Sequence, residues 1–575
     1  MYNILIFNQI VMKTIRFCSA ILLFVFIANS TLSQTVHAGC APKVSDKDWY
    51  SSDKKAPIFN GLDGINFPVS TKNPEAQKYF NQGLMLSYAF NHAEAARSFY
   101  EAIRLDSTCA MCYWGFALVL GPNYNAGMET DNIQRAYDAS QTALKLSENI
   151  TQKERLLILA LSMRYDSVQA QDRSWNDEAY AFSMGSAYLV YPDDPDVASL
   201  YAEALMDQHP WDLWNYDGTP KSWTPDIVNI LEKTIKKSPR HPGANHFYIH
   251  AVEASFTPEK AMVSADLLRD LVPGAGHLVH MPSHIYIRTG RYHDGTIANQ
   301  NAVKVDDGYI SACHAQGVYP LGYFPHNYHF MAATAALEGD QTTAVMASKQ
   351  MRDQLDSKLM RDPAWGTLQH YYSVLYYVMV KFGMWDEILK AAAPDADLPY
   401  PRAILEYAKG MASLAQNNTS AAHKHLDELE KLSKDSLAQQ VSIWDINSAK
   451  DLMDIAVHVL KGELLNKEGR GTEGIEELKK AIIIEDQLQY NEPPDWFFSV
   501  RHNLGSVLLE NKMYPEAQKI LLEDLKKYPL NGWSLIGLGQ AYQFQGKMEE
   551  AKKTDMDFEQ AWKFSNVQLK SPRIL

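Results

Sequence analysis

Apolar residues recur at intervals of three and four along almost the whole chain from Pro74 to position 565. This spacing is typical of amphipathic helices, whose buried face returns about every 3.6 residues. Glycine and proline fall between the apolar stretches, where helices begin and end. No stretch shows the apolar-polar alternation of a half-buried strand. The pattern therefore predicts an all-α chain of roughly ten to twelve helix pairs.

The helix pairs repeat with a period of about 34 residues, the length of a helix–turn–helix repeat. Gly505 and Gly539 are one such period apart, and so are Ala517 and Ala551. A small residue at these positions lets two helices approach closely, while large apolar residues fill the space to the next pair. The same offsets occur in a unit near the front of the chain, at Gly83, Leu86, Ala95, Phe99 and Ala102.

This pattern resembles the tetratricopeptide-repeat family, most closely at 76–109 and 498–565 and least closely at 150–235. The resemblance implies a right-handed α-solenoid of helix–turn–helix repeats, with a concave groove that takes a peptide, a partner protein or a small ligand. Three insertions interrupt the period, at 121–132, 208–226 and 306–325. Long loops inside regular repeats usually serve a site or pack over a groove.

The pattern divides the chain into seven predicted segments. They are a signal peptide (1–38), a linker (39–73), N-terminal repeats (74–240), His-rich central repeats (241–350), connecting helices with a proline-rich break (351–400), C-terminal repeats (401–565) and a tail (566–575).

The segment 1–38 has the composition of an export signal. A basic start between Met12 and Arg16 precedes an apolar run at 18–28, and Ala38 ends a small-residue cleavage site. The run is shorter than the roughly 20 apolar residues of a membrane-spanning helix. We expect export to the periplasm or cell envelope and no transmembrane segment in the mature chain. Lipidation at Cys40 and a start at Met1 or Met12 are left open.

Composition narrows the function classes. The chain is 46% apolar and 21% charged, as expected of a folded protein, and its net charge of −14 argues against nucleic-acid binding. Cys109 and Cys112 form a C-x-x-C that lacks the histidine of a haem-attachment site. In an exported chain this pair predicts a local disulfide, with metal binding as the alternative.

Histidines are concentrated in the central repeats. Ten of the chain's eighteen lie between His241 and His329, where a uniform distribution would place about three. His246 and His250 are four apart, as are His280 and His284, and the second pair follows the first by one repeat period. The same two positions therefore recur on neighbouring helices, which predicts one site built by two repeats.

Side chains four residues apart share a helix face, and packed helices are about 8–10 Å apart, so these imidazoles can share one ion. Imidazole suits zinc, copper, iron or nickel, and we expect zinc or copper here. The predicted metal ligands are His246, His250, His280, His284, His329 and Glu253. Predicted to line the groove are His241, His277, His326 and Arg288.

Two features leave the site open to other interpretations. Pro282 lies between His280 and His284, and a helix that begins at Pro282 would direct His280 elsewhere. Glu253 could be a ligand or an acceptor that fixes a histidine tautomer. Groove histidines can also bind a peptide without any metal, or serve only the packing.

Two function classes follow. In the first, the chain is an exported binding scaffold whose His-lined groove holds a transition metal. In the second, the histidines form the active site of a metal-dependent hydrolase or oxidoreductase. The sequence contains no complete catalytic motif: His-Glu-x-x-His, the P-loop and Gly-x-Ser-x-Gly are all absent. The binding scaffold is therefore the leading hypothesis.

Overall fold

The computed structural model describes residues 48–168, 172–311 and 319–575. Helices dominate these ranges, and their only strands form a short antiparallel hairpin of β1 (Ser442–Ile443) and β2 (Asn447–Ser448). The predicted all-α solenoid class is confirmed. None of the helices in these ranges has the length and apolarity needed to span a membrane. The predicted export signal and Cys40 lie outside the described residues.

The N-terminal helices form consecutive antiparallel pairs. They are α1 (Pro74–Tyr88), α2 (His92–Leu105), α3 (Ala110–Leu120), α4 (Ile133–Lys145), α5 (Gln152–Ser162), α6 (Ser174–Val190), α7 (Pro195–Met206) and α8 (Thr224–Lys237).

The central region carries most of the histidines. Its helices are α9 (Pro242–Val252), α10 (Met262–Leu271), α11 (Gly276–His280), α12 (Pro282–Arg288), α13 (Tyr292–Ser311), α14 (Phe324–Glu338) and α15 (Gln341–Asp353).

The C-terminal region completes the coil. Its helices are α16 (Thr367–Lys381), α17 (Trp385–Lys390), α18 (Pro399–Ala415), α19 (Thr419–Leu432), α20 (Ser436–Gln439), α21 (Ala449–Lys467), α22 (Gly471–Gln487), α23 (Val500–Glu510), α24 (Tyr514–Lys527), α25 (Gly532–Phe544) and α26 (Met548–Ala561).

Helix starts follow local sequence signals. Asn73 precedes Pro74 and its side chain accepts the backbone N–H groups of Glu75 and Ala76 at the start of α1. Pro242 opens α9 in the same way, with His241 as the capping residue. A capping side chain satisfies an N–H that the helix leaves unpaired, and proline loses nothing at the first position.

Small residues allow close helix crossings where the repeat pattern places them. A Cβ on Gly83 would lie 2.9 Å from the Phe99 ring, and a Cβ on Gly115 would lie 2.3 Å from it. Phe99 is fully buried. The Phe99 ring of α2 therefore fills the space that Gly83 leaves on α1 and Gly115 leaves on α3. The repeat pattern predicts this packing of a large side chain against small residues.

The coil curls tightly enough for its two ends to cover its centre. The first pair reaches α9 through the carbonyl of Tyr88. The C-terminal region reaches the centre where Trp533 Nε1 donates to Ala336 O at 2.9 Å and Tyr292 donates to Pro529 O at 2.7 Å. The central histidines therefore lie inside the coil, where side chains from three parts of the sequence meet.

Candidate metal centre

Six histidines of the central helices form two adjoining triads. The first triad is His246, His250 and His277, and the second is His280, His284 and His326. Within each triad, one potential ligand atom from every residue lies within 4.8 Å of the others. His326 is half-buried, whereas the other five rings are almost completely buried. This number of close imidazole nitrogens suits transition-metal ions.

Helix geometry brings the triads together. His246 and His250 project from one face of α9, one turn apart. His277 and His280 belong to the single turn of α11, and His284 lies in the first turn of α12. Pro282 does begin a new helix, but His280 still faces His284, with their Nε2 atoms 2.9 Å apart. The proline divides the helix without separating the two rings.

Glu253 joins the two triads from behind. Its Oε1 accepts Nδ1–H of His250 at 2.7 Å, and its Oε2 accepts Nδ1–H of His284. The carboxylate is therefore an acceptor that fixes two rings, one in each triad, and both Nε2 atoms face the site. Tyr490 of the C-terminal region approaches the same carboxylate, with its hydroxyl 3.4 Å from Oε2.

Two further rings are fixed through their Nδ1 atoms. His246 donates Nδ1–H to the backbone carbonyl of Tyr88 at 2.6 Å. His280 donates Nδ1–H to Asn299 Oδ1 at 2.6 Å, and Asn299 Nδ2 donates to Gly295 O, which orients the amide. An Nδ1–H that is used in this way leaves Nε2 of a neutral ring with a bare lone pair.

Burial determines the charge of these groups. It lowers the pKa of His246, His277 and His280 well below that of an ordinary histidine, and the neighbouring rings lower it further. Burial raises the pKa of the Glu253 carboxyl, but His284 and His250 outweigh that effect and bring its pKa to about 2. Burial therefore favours the neutral form of His246, His277 and His280, beside one carboxylate charge on Glu253.

The other ring nitrogens of the first triad either face a nitrogen of a neighbouring ring or have no hydrogen-bond partner. His246 Nε2 and His277 Nε2 lie 3.1 Å apart. His250 Nε2 and His277 Nδ1 are buried without a hydrogen-bond partner. Buried nitrogens are almost always satisfied in folded proteins, because each one left bare costs about 1–3 kcal/mol. This arrangement fits a ligand set that binds cations.

Most of the predicted metal ligands lie together in the structure, but not all of them do. His246, His250, His280 and His284 lie in the cluster, and Glu253 is their acceptor. Instead of the one shared site that we expected, the histidines form two triads.

The sequence predicts His329 as a ligand of the site, but in the structure His329 contacts His370 and Tyr371. His326 takes the position in the second triad. Three residues advance a helix by about 300°, so His329 projects from a different side of α14.

The predicted groove residues also separate. His277 and His326 join the triads as ligand candidates. His241 lies outside the cluster, where its Nδ1 caps α9 and its Nε2 lies 3.1 Å from Asp196 Oδ1. Arg288 is half-buried beside the cluster and donates to the carbonyls of Glu253 and Ser255.

The C-x-x-C pair lies in the N-terminal repeats. Cys109 and Cys112 are both buried and free in the structure, so the predicted disulfide is not formed there. Cys109 is the capping residue of α3, and its sulfur accepts the backbone N–H of Cys112 at 3.3 Å. The sulfur thereby satisfies an N–H that the first turn of the helix leaves unpaired.

Sequence reasoning did not find two contributors to the site. Asn299 lies on α13, outside the histidine spacing, and the Tyr88 carbonyl belongs to the backbone of a distant repeat. Buried Asn299 carries a weak signal, since it lies one turn after Gly295 on a face that packs against α11. The Tyr88 carbonyl carries no signal, because every residue has one.

A cavity of about 550 Å³ lies beside the first triad. Tyr124 and Trp211 form the wall between the cavity and His250. Their ring centroids lie 5.3 and 5.8 Å from the imidazole. Both aromatic residues come from predicted insertions, and together with Trp365, Tyr371 and Trp444 they make the cavity rich in aromatic side chains.

No protein-family model matches the sequence, and no curated protein matches it. Among solved structures, the chain is similar to the APC/C hetero-tetramer Cut9–Hcn1, with 13% identity, coverage of 84% of this chain and 76% of that one, and a TM-score of 0.31.

It is also similar to the human IFIT1 dimer with m7Gppp-AAAA, with 12% identity, coverage of 87% and 92%, and a TM-score of 0.29. At these values the likeness indicates nothing about a shared ligand. The helix pairs of the structure themselves show an all-α helical-repeat fold.

Proposed function

We propose that this protein is a metalloprotein whose helical-repeat coil binds two transition-metal ions, one in each histidine triad. The observation that carries the proposal is the hydrogen-bond geometry of His280 and His284. The Nδ1 atom of each ring faces an acceptor that cannot donate, so in the neutral rings two Nε2 lone pairs face each other at 2.9 Å. A cation between the rings turns this repulsion into coordination.

The donor set favours zinc or copper. Both metals accept neutral imidazole, and three imidazoles with an open fourth position are a known arrangement for a reactive zinc ion. The Glu253 carboxylate balances part of the charge of the ions and makes His250 and His284 better ligands. Histidines that served only packing would not need four of their six rings oriented by acceptors at Nδ1.

Elemental analysis of protein purified without an affinity tag tests the proposal. We expect about two equivalents of zinc or copper, one for each triad. Replacing His246 and His277 with alanine removes one equivalent, and replacing His280 and His284 removes the other. His425→Ala is the matched control, since this histidine is half-buried and pairs with Glu406 far from the cluster.

A metal-free result that persists after zinc or copper is added would overturn the proposal. An extra proton, and not a metal ion, would then lie between His280 and His284.

We also propose, as a second candidate, that the first triad is catalytic toward a small substrate. The aromatic cavity beside His250 favours this role, because a concave cavity of this volume lined by aromatic rings suits a small molecule better than an extended peptide. Binding of a peptide or partner protein remains a prediction from the family resemblance.

A metal-dependent activity distinguishes the two roles. We would assay the metal-loaded protein with p-nitrophenyl acetate, p-nitrophenyl phosphate and catechol, which represent esters, phosphate esters and oxidisable phenols. Catalysis predicts turnover that disappears with the metal and falls at least tenfold in Trp211→Ala. Trp223→Phe is the control, because Trp223 stacks on His209 on the same loop but does not line the cavity. Binding without turnover of any probe would reject the catalytic candidate.

A further inference from the structure

A second group of buried histidines, a contacting pair, lies outside the two triads. His329 of α14 and His370 of α16 have ring centroids 5.4 Å apart, with the ring planes at 71°. Both rings are buried, with exposures of 3% and 0%. The pair lies between the central and C-terminal regions, so helices from two parts of the coil must pack correctly to bring it together.

Each ring of this pair keeps one nitrogen without a partner. His370 Nδ1 lies 2.9 Å from the hydroxyl of Tyr400, whereas its Nε2 is buried and bonded to nothing. His329 stacks on Phe497 at 5.2 Å, and its Nε2 is likewise buried and unpartnered. Each buried imidazole nitrogen that lacks a hydrogen-bond partner lowers the stability of the folded chain by about 1–3 kcal/mol unless a ligand binds it.

Aromatic rings surround the pair, and within the described ranges it gains no third metal ligand. Tyr371, Tyr377, Tyr400 and Phe497 pack against the two imidazoles. Groups of three or more histidine, cysteine, aspartate or glutamate ligands occur elsewhere in those ranges, but none includes His329 or His370. An ion bound here would have two neutral nitrogen ligands and no adjacent negative charge.

A buried site with two neutral ligands favours a monovalent ion over a divalent one. The cost of burying an ion rises with the square of its charge, so a monovalent ion costs about a quarter of what a divalent one costs. Zinc also requires about four ligands, which this place does not supply. Of the metals that imidazole suits, copper has a stable monovalent state, and copper(I) accepts two nitrogen ligands in a linear arrangement.

We propose that His329 and His370 bind one copper(I) ion through their Nε2 atoms. In the tautomer that binds the ion, the Tyr400 hydroxyl accepts Nδ1–H of His370 and Nε2 of that ring carries the free lone pair. Tyr371 contacts His329 and also lines the aromatic cavity, so its ring lies between the cavity and the pair. The site goes beyond the two triads and does not require that they bind metal.

Anaerobic titration with copper(I) against a chelator of known affinity tests the site. We expect the unmodified protein to bind one more equivalent than the His329→Ala/His370→Ala variant, whatever the triads bind. Zinc stoichiometry should be the same in both proteins. Equal copper(I) stoichiometry and affinity in the two proteins would overturn the proposal. His425→Ala controls for loss of an ordinary histidine.

A second measurement uses only the unmodified protein, so it does not depend on whether a variant folds. The unmodified protein is first saturated with zinc and then given one equivalent of copper(I). The copper X-ray absorption edge and fine structure should show two nitrogen ligands, with no zinc released. Three nitrogens around copper, release of zinc, or copper left on the chelator would each contradict the assignment. Loss of the triad metals alone would leave this site intact, so the two proposals fail separately.

Discussion

The Nε2 atoms of His280 and His284 lie 2.9 Å apart, and the Nδ1 atom of each ring faces a hydrogen-bond acceptor on the other side. Asn299 takes the Nδ1–H of His280, and Glu253 takes that of His284. Neither acceptor can return a proton. Two neutral rings in these tautomers repel each other at this distance, and a shared cation is what makes the arrangement favourable.

Glu253→Gln should weaken both ions together. The amide cannot accept two N–H bonds with full negative charge, so His250 and His284 lose basicity and orientation. We expect affinity in each triad to fall about 10- to 100-fold, measured by competition with a chelator.

The matched control for this variant is Glu232→Gln. Glu232 accepts the Tyr248 hydroxyl on the outer side of α9 and does not touch the cluster. A Glu253→Gln protein that loses affinity in only one triad, or in neither, would show that the carboxylate does not couple them.

Asn299→Ala should weaken one ion and leave the other unchanged. Asn299 orients His280 alone, so only the second triad loses a positioned ring. The expected loss is about 10- to 100-fold for one of two equivalents. Asn503→Ala, which removes a contact with Glu463 in the C-terminal region, should change neither affinity. Equal weakening of both ions would contradict the division into two triads.

Removal of metal should lower thermal stability. An ion that binds the folded chain and not the unfolded one stabilises it by about 2.7 kcal/mol when its free concentration is 100 times Kd. Chelator-treated protein should therefore unfold at a lower temperature by circular dichroism, and adding zinc or copper back should restore the original Tm. An unchanged Tm under conditions where binding is saturated would count against metal in the buried triads.

Phe99→Ala should destabilise the N-terminal repeats by about 3–5 kcal/mol, because it opens a cavity against Gly83 and Gly115. Urea unfolding followed by tryptophan fluorescence and circular dichroism measures the change. Phe182→Ala is the control, since this side chain is 79% exposed and should change stability by no more than about 0.5 kcal/mol. Similar effects from both substitutions would contradict the assigned packing.

Asp495 should make the protein less stable as the pH rises. Burial raises the pKa of this carboxyl to about 7, although Asn447 and Asn491 donate to it. Between pH 4 and 7 the folded chain holds a proton that the unfolded chain has lost. The free energy of unfolding therefore falls by up to about 1.4 kcal/mol per pH unit from this group alone.

Asp495→Asn should remove that contribution. Its free energy of unfolding, compared with the unmodified protein at each pH, should show a relative gain that grows from pH 4 to pH 7 and then levels off. Asp270→Asn serves as the control, because the Asp270 side chain is 81% exposed. A constant difference across the whole pH range would mean that Asp495 is not protonated in the folded protein.

The sequence by itself determined the helical-repeat class and the region of the site. The repeat spacing depends on helix period and on small residues at crossings, which are local and repeated properties. Four ligand candidates followed from that spacing, as did Glu253. These residues lie on neighbouring turns or neighbouring repeats, where helix geometry fixes their relation.

The tertiary structure alone decided the rest. It separated His329 from His326, joined His277 to His246, and brought Tyr88 and Tyr490 from distant parts of the chain into contact with the site. These relations depend on how far the coil curls and on which side of α14 faces inward. Small rotations between successive repeats add up along the chain, and their total, which sets the curvature of the coil, cannot be predicted from the residue pattern.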